Sequence, residues 1–190
     1  GMQLFSAEAP GPSTDKLHPR ITDTAKRLWL IYFGFTLLET ILLTFFGMSF
    51  FDAINHSMSN IASGGFSTKD NSLAYWNSQP VIQYIVIIFM FIAGTNFVLS
   101  YYIFKGKFDK LRSDEEFRLY YKLILFFTFI VALIIFFNSS FIVDGDQSLF
   151  SQIEGVIRHS LFQVVSIIKT TGFVTSDYTA WTPFLLLIFF

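Results

Sequence analysis

Long apolar stretches alternate along the chain with shorter, half-polar ones. Residues 28–51 are mainly apolar with Glu39 as their only charge before Asp52, residues 80–104 contain no charged side chain, and residues 119–143 form a third apolar stretch. A membrane-spanning helix needs roughly 20 mainly apolar residues, so each stretch is long enough. The pattern predicts an all-α integral membrane protein. Pro80 suits the start of the second span, where no amide donor is needed.

Two half-polar stretches between the spans are too short to cross a bilayer. Residues 52–63 and 156–169 each lead into a loop of small residues, at 63–68 and 170–175. Longer loops are expected at 64–79 and 144–155. Irregular backbone at membrane depth is tolerated only where it is buried in protein or lines a water-filled path. We therefore predict two re-entrant helices whose glycine loops line a pore.

The two loops belong to an internal repeat. Placing Gly65 on Gly172 offsets the two halves by 107 positions. A repeat of this length in a membrane protein indicates duplicated units around a shared path, although low-complexity apolar sequence can also align with itself. The coincident residues are mostly small or polar: Ser59 with Ser166, Ser63 with Thr170, Phe66 with Phe173, Thr68 with Thr175, and Asp70 with Asp177.

The repeat suggests a division of the chain. Residues 1–26 are predicted to be a cytoplasmic connector after a preceding unit, 27–105 a pore unit, 106–118 a second cytoplasmic connector, and 119–190 the next pore unit. The last span would open at Pro183, and seven apolar residues from Phe184 to Phe190 fall short of a crossing. We expect the chain to be a piece of a longer protein.

Composition supports a membrane protein and limits the alternatives. Hydrophobic residues make up 53% of the chain and charged residues 14%, against ~25% charged in soluble domains. The net charge of −1 gives no indication of a nucleic-acid partner, and the absence of cysteine excludes thiolate metal sites. Ten of the thirteen basic residues precede the first span or lie between or beside the second and third spans. The positive-inside rule therefore puts both glycine loops on the outer face.

The loops have the composition of a carbonyl-based ion filter. Glycine reaches dihedral angles that let successive carbonyls point the same way, and small neighbours let the backbone approach an axis. The C-terminal ends of the re-entrant helices would favour a cation, and neither loop contains an acidic side chain. The predicted ion-binding residues are Ser63, Gly64, Gly65, Thr170, Thr171 and Gly172, with Phe66 and Phe173 as wedges that support the loops.

Several polar residues outside the loops have two interpretations. Glu39, in mid-span, either lies on an ion path or bonds to another helix. Asn96 either packs helices together or lines the pore, and packing is favoured. Asp52 fits the N-cap of the first re-entrant helix. Asp70 and Asp177 either concentrate cations at the outer mouth or cap turns.

The two histidines in the re-entrant helices are possible metal ligands by residue type alone. His56 and His159 lie in different units, with no second His or Cys at ligand spacing. We expect surface or capping roles for both. No GxSxG, HExxH or paired-His motif occurs, so an enzyme is not predicted.

Together these motifs resemble the Trk-type potassium uptake subunits of the Trk/Ktr/HKT superfamily. The matching stretches are residues 3–12, 51–56, 63–68, 91–97, 158–166 and 170–173. The resemblance implies a pseudo-fourfold pore of four helix–loop–helix units, with Gly65 and Gly172 as central filter glycines. It implies K⁺ as the transported ion, bound by backbone carbonyls, and no cofactor. It also implies a homodimer in the lipid of the bacterial cytoplasmic (inner) membrane, with a cytosolic nucleotide-binding regulatory subunit.

One residue departs from the family pattern, and two other functions stay open. Lys169 stands beside the filter, where the family usually has a small or hydroxyl residue. We expect its stem to lie along the helix and its ammonium to reach solvent or an acidic partner. A Na⁺-coupled or Na⁺-permeable transporter of the same superfamily, and a non-conducting structural subunit, are the alternatives to K⁺ transport.

Overall fold

A computed structural model describes residues 21–104, 113–137 and 149–176, together with Gly106 and Asp109. These residues form helices and connecting loops, without a strand among them. The elements in chain order are α1 (Ile21–Phe45), α2 (Phe50–Ile61), a short 3₁₀ helix (Ser72–Trp76), α3 (Pro80–Ala93), α4 (Phe97–Phe104), α5 (Glu115–Phe137) and α6 (Leu149–Ile168).

The turn between α1 and α2 lies earlier than the sequence pattern predicts. The first span ends at Phe45 rather than at residue 51, because Gly47 turns the chain with a φ of 103°. Ser49 then caps α2 by accepting a hydrogen bond from the Asp52 amide at 3.1 Å. The prediction of Asp52 as N-cap was therefore wrong. Its carboxylate instead accepts a hydrogen bond from the Ser49 hydroxyl at 2.8 Å, which completes a reciprocal cap.

The second span is interrupted, and its prediction as one continuous helix was wrong. Helix α3 ends at Ala93 and α4 begins at Phe97. At Gly94 a Cβ would overlap the Tyr120 hydroxyl of α5, so only glycine permits this approach. The Thr95 hydroxyl donates to the Ile92 carbonyl at 2.7 Å and competes with the helical ladder. A cavity of about 200 Å³ lies between this break and α5.

The second re-entrant helix is longer than predicted. Helix α6 has 20 residues and begins at Leu149 rather than at residue 156, so the loop predicted over 144–155 was wrong from Leu149 onward. Gly155 sits within the helix with no atom near the position of a Cβ. Helix α5 begins four residues before the predicted third span, and residues 138–143 of that prediction lie outside the described residues.

Two of the helices have the length and composition of membrane spans. They are Ala25–Phe45 within α1, with a hydropathy of 1.8, and Glu115–Phe137, with a hydropathy of 2.4. Helix α3 is apolar but shorter, because the break at residues 94–96 divides its span. Helix α1 packs against α2 and α3, and α6 packs against α3 and α5. The contact between α3 and α6 therefore joins the two pore units.

The outside of this helix assembly is strongly apolar. Phe45 and Phe137 each have 80% of their surface exposed, whereas Leu43 and Val131 on the same two helices are fully buried. Exposed apolar surface of this extent is unusual in a protein that faces water. It suits a protein surrounded by lipid or by further helices.

Candidate ion-binding site

The two glycine loops adopt the same backbone conformation. Ser63 and Gly65 have φ values of 56° and 69°, and Thr170 and Gly172 have 61° and 83°. Gly64 and Thr171, between them, do not share the positive φ. These positive φ values are the departure from helical dihedrals that the carbonyl-filter prediction requires of the two loops. Left-handed Ser and Thr are uncommon and cost ~1 kcal/mol each, so the geometry is held by its surroundings.

The loops of the two units meet each other. A Cβ on Gly65 would overlap the carbonyl oxygen of Thr171, and a Cβ on Gly172 would lie 3.9 Å from the Gly65 Cα. The predicted ion-binding residues at 63–65 and 170–172 are thus gathered in one place, although they are far apart in sequence. Only a residue without a side chain fits at Gly65.

Equivalent serines fix the two loops to the ends of their re-entrant helices. The Gly64 amide donates to the Ser59 carbonyl at 2.7 Å, and the Thr171 amide donates to the Ser166 carbonyl at 2.8 Å. The side chain of Ser59 also accepts a hydrogen bond from the amide of Phe66 at 2.8 Å. That of Ser166 donates to the carbonyl of the following loop, at Phe173, over 2.8 Å. The serine pair found by the repeat alignment therefore supports both loops.

A second pair of equivalent contacts fixes the chain just after each loop. The Thr68 hydroxyl donates to the Asp52 carboxylate at 2.5 Å, and the Thr175 hydroxyl lies 2.9 Å from Nδ1 of His159. An offset of 107 positions superposes Asp52 on His159 as well as Thr68 on Thr175. A search for like residues misses the equivalence of Asp52 and His159, because Asp and His are unlike. The offset of 107 positions nevertheless places these two residues on each other.

Asp52 is the centre of a polar cluster at the start of α2. Besides Ser49 and Thr68, it pairs with the Lys69 ammonium at 3.3 Å. The hydrogen bond from Thr68 lowers the pKa of the Asp52 carboxyl, and Ser49 and Lys69 add to this against the opposing effect of burial. Lys69 also lies over the ring of Tyr75, 5.0 Å from its centroid. The cluster holds the segment that follows the first glycine loop.

The two predicted wedges differ in their surroundings. Phe173 is fully buried, with its ring 5.7 Å from His56. His56 is itself fully buried, and it contacts Trp76 and the Ser67 hydroxyl at 2.9 Å. The expectation of a surface or capping role for His56 was therefore wrong. Phe66, at the equivalent position of the first loop, is 81% exposed and wedges nothing among the described residues.

A buried polar chain lies behind the loops. Lys169 is only 7% exposed, and its ammonium donates to the backbone carbonyl of Asn60 and, at 3.4 Å, to the Asn60 side-chain oxygen. The Asn60 amide in turn donates to Glu39 at 2.6 Å. Of the two interpretations of Glu39, the structure thus shows the bond to another helix. Among the described residues, the Lys169 ammonium is linked to the acidic Glu39 through Asn60, and its side chain is almost entirely buried.

The remaining predicted residues contribute less. Asp70 is exposed, and Asp177 lies outside the described residues. Asn96 lines the cavity beside α5, and Gly94 and Tyr120 line it as well. His159 is partly buried against Thr175. In the part of the chain that the structure describes, no group of three or more His, Cys, Asp or Glu is suited to hold a metal ion.

Comparison with known proteins identifies the family. A family model for cation transport proteins, TrkH, matches residues 1–190. The chain belongs to the TrkH family. The family members are transporters, so this TrkH-family chain is not an enzyme, as its lack of catalytic motifs predicts. The predicted resemblance to Trk-type subunits is confirmed.

Individual relatives support the same assignment. The Trk system potassium uptake protein TrkH of Salmonella typhimurium is 42% identical over 187 residues, and that of Vibrio parahaemolyticus is 39% identical over 189 residues. The crystal structure of the potassium transporter TrkH from Vibrio parahaemolyticus matches with a TM-score of 0.82 at 32% identity, over 98% of this chain and 38% of that chain. The all-α membrane fold with pore-loop repeats is thereby confirmed.

This TrkH-family chain is short compared with its relatives. The alignments cover 97% of its residues but only 37% of the length of either TrkH protein. It therefore corresponds to about a third of a complete transporter.

Proposed function

We propose that the chain forms two adjacent pore units of a potassium uptake transporter. The ion would bind to backbone carbonyls of the residues at 63–65 and 170–172. The observation that carries the proposal is the matched backbone of the two loops, in which the first and third residues are left-handed and the glycines of both loops meet. Relatives that align over nearly the whole chain are named potassium uptake proteins.

The chemistry is replacement of water by carbonyl dipoles. A K⁺ ion entering a narrow path exchanges its hydration shell for carbonyl oxygens. Helices α2 and α6 both end at the loops, so the partial negative charge of their C-terminal ends favours a cation there. Transport in this form needs no cofactor, only the ion as substrate. A path of carbonyl dipoles can also bind the ion weakly enough to let it leave.

Two more units would complete a pseudo-fourfold pore. The exposure of Phe66 supports this arrangement, because the equivalent Phe173 packs against His56 of the neighbouring unit. The pseudo-fourfold rotation that relates one unit to the next would place Phe66 against a preceding unit. Phe66 would then be the wedge that the sequence predicts. The apolar outer surface would contact lipid and a second copy of the protein in a homodimer.

We further propose a bacterial cytoplasmic (inner) membrane location with the glycine loops on the outer face. The basic residues flanking the connector at 106–118 would then face the cytosol, where a nucleotide-binding regulatory subunit can reach them. The chain contains no cysteine, so single cysteines can be introduced as labels. Asp70→Cys should react with a membrane-impermeant maleimide in intact cells, and Asp109→Cys only after lysis. The reverse pattern would overturn the orientation.

Ion uptake by the complete transporter tests the filter. Bacteria that lack their own K⁺ uptake systems would express the unaltered protein, Gly172→Ser and the control Gly155→Ala, and rubidium uptake would be measured with and without excess Na⁺. Gly155 lies within α6 with open space at its Cβ position, so its variant should match the unaltered protein.

The expected result is uptake that resists Na⁺ in the unaltered protein and loses this resistance in Gly172→Ser. Uptake inhibited equally by Na⁺ in both proteins would identify a Na⁺-permeable transporter instead. All versions could reach the membrane in equal amounts and still show no rubidium uptake, even with the regulatory subunit present. That result would support a structural subunit and refute the proposal.

A further inference from the structure

We propose that Glu39 compensates the charge of Lys169 behind the filter, and that this balance sets how tightly the filter holds its cation. The inference rests on the proposed transport function. It concerns three residues that the filter chemistry does not use: Lys169 at the end of α6, Asn60 in the last turn of α2, and Glu39 in the middle of α1. We call them the Glu39–Asn60–Lys169 chain.

The position of Lys169 makes its charge relevant to the filter. It directly precedes Thr170, the first filter residue of its loop, and its ammonium is bonded to Asn60, three residues before Ser63 of the other loop. A cation therefore lies beneath both loops, at the C-terminal end of α2. This is the end whose partial negative charge would otherwise favour K⁺.

The burial of Lys169 makes that charge effective. Only 7% of the side chain is exposed, so water screens it poorly. At an effective dielectric constant of about 20, a unit charge ~10 Å from an ion changes the ion's binding about tenfold. An uncompensated Lys169 would thus weaken the binding of a cation in either loop by roughly this factor.

Glu39 supplies the opposite charge. It is fully buried, and a carboxylate in the middle of a span is costly without a partner. One of its oxygens accepts from the Asn60 amide at 2.6 Å, while the other has no hydrogen-bond partner among the described residues. The carboxamide of Asn60 thus stands between a carboxylate on its nitrogen side and an ammonium on its oxygen side. A carboxylate at Glu39 would be linked through Asn60 to the Lys169 ammonium, and the two charges together would be close to neutral.

The geometry also keeps Lys169 away from the ion. Its stem passes Gly94, where a Cβ would lie 3.3 Å from the Lys169 Cγ. The absence of a Cβ at Gly94 therefore leaves room for this side chain. Because the ammonium is bonded to Asn60, the charge of Lys169 points away from the ion path. The backbone carbonyl of Lys169 can still belong to the loop.

Two single substitutions of opposite sign test the inference in the complete transporter. Glu39→Gln keeps an oxygen for the Asn60 amide and removes only the negative charge, so the rubidium concentration for half-maximal uptake should rise about tenfold. Lys169→Met removes the positive charge, and that concentration should fall. The double variant should return close to the unaltered value, and Lys169→Arg, which keeps the charge, should resemble the unaltered protein.

The pattern separates a charge effect from a structural one. A purely structural role predicts lower maximal uptake in both single variants, with no opposite shift in the half-maximal concentration and no recovery in the double variant; that result would overturn the inference. So would an unchanged half-maximal concentration in Glu39→Gln, as expected if Glu39 is neutral. Should Glu39→Gln alone fail to reach the membrane, the double variant is compared with Lys169→Met: a higher half-maximal concentration in the double variant supports the inference, and an equal one overturns it. Absence of uptake in the unaltered protein would instead refute the proposed function itself.

Discussion

Gly65 is the position where one added methyl group should have the largest effect. Its φ of 69° disfavours any residue with a Cβ, at ~1 kcal/mol or somewhat more for alanine. In addition, that Cβ would overlap the carbonyl oxygen of Thr171 in the other loop. To restore an ordinary contact, one loop must move by on the order of 1 Å. In Gly65→Ala the displaced group is a backbone carbonyl of the proposed filter.

The chain offers two matched controls for Gly65→Ala. Gly106 has nearly the same φ, 66°, but no atom of the described residues lies within 4 Å of a Cβ there, so Gly106→Ala introduces the backbone strain alone. Gly172 has a φ of 83° and an ordinary contact of 3.9 Å, so Gly172→Ala introduces strain within the filter without overlap. Comparison of the three variants separates the effect of backbone strain, the effect of position within the proposed filter and the effect of overlap with the other loop.

Rubidium uptake with and without Na⁺, normalised to the amount of transporter in the membrane, measures the outcome. We expect Gly65→Ala to reduce the preference for K⁺-like ions over Na⁺ about tenfold or more, equivalent to ~1.4 kcal/mol. Gly172→Ala should lose less, and Gly106→Ala should keep its selectivity while losing only the ~1 kcal/mol or somewhat more of stability that the left-handed φ costs alanine. If Gly65→Ala retains selectivity as Gly106→Ala does, the assignment of these loops as a shared filter is refuted.

Three further predictions concern the supports of the loops and are checked by thermal unfolding of the purified transporter. Ser166→Ala should cost ~1 kcal/mol through the lost bond to the following loop, and no change in stability would contradict its role. His159→Ala and Thr175→Val should each cost about as much, and their double variant no more than either, whereas additive losses would show that the pair does not act together. Gly94→Ala should destabilise because of overlap with the Tyr120 hydroxyl, and Tyr120→Phe in the same protein should recover part of the loss; no recovery would place the strain elsewhere.

Hydropathy predicted the existence of the spans better than their ends. Two eligible caps, Ser49 and Asp52, lie three residues apart, and the pattern does not decide which residue begins α2. The break at residues 94–96 is invisible to hydropathy, because it depends on Tyr120 of another helix. Residues 149–155, at the start of α6, are predicted as a loop because they are partly polar and the surfaces they pack against are not visible in the sequence.

The loops themselves were predictable because the chain repeats them. The offset between Gly65 and Gly172 gave both filter segments and the supporting serine pair. It places Asp52 and His159 at equivalent positions, but it does not show that each of them contacts its threonine. The Glu39–Asn60–Lys169 chain depends on folding that brings Lys169 next to a residue 109 positions away. No local pattern contains that information.

The contact between the two loops has a consequence for the biogenesis of the protein. The first loop is synthesised before the second, yet the space around Gly65 is bounded by Thr171, and the buried ring of His56 is covered by Phe173. Ser72 of the first unit also accepts a hydrogen bond from the Val174 amide at 3.3 Å. While the ribosome is still translating the region after residue 137, these partners do not yet exist. The first unit therefore reaches its final loop contacts only after Val174 has been synthesised, so the first loop cannot mature ahead of the second.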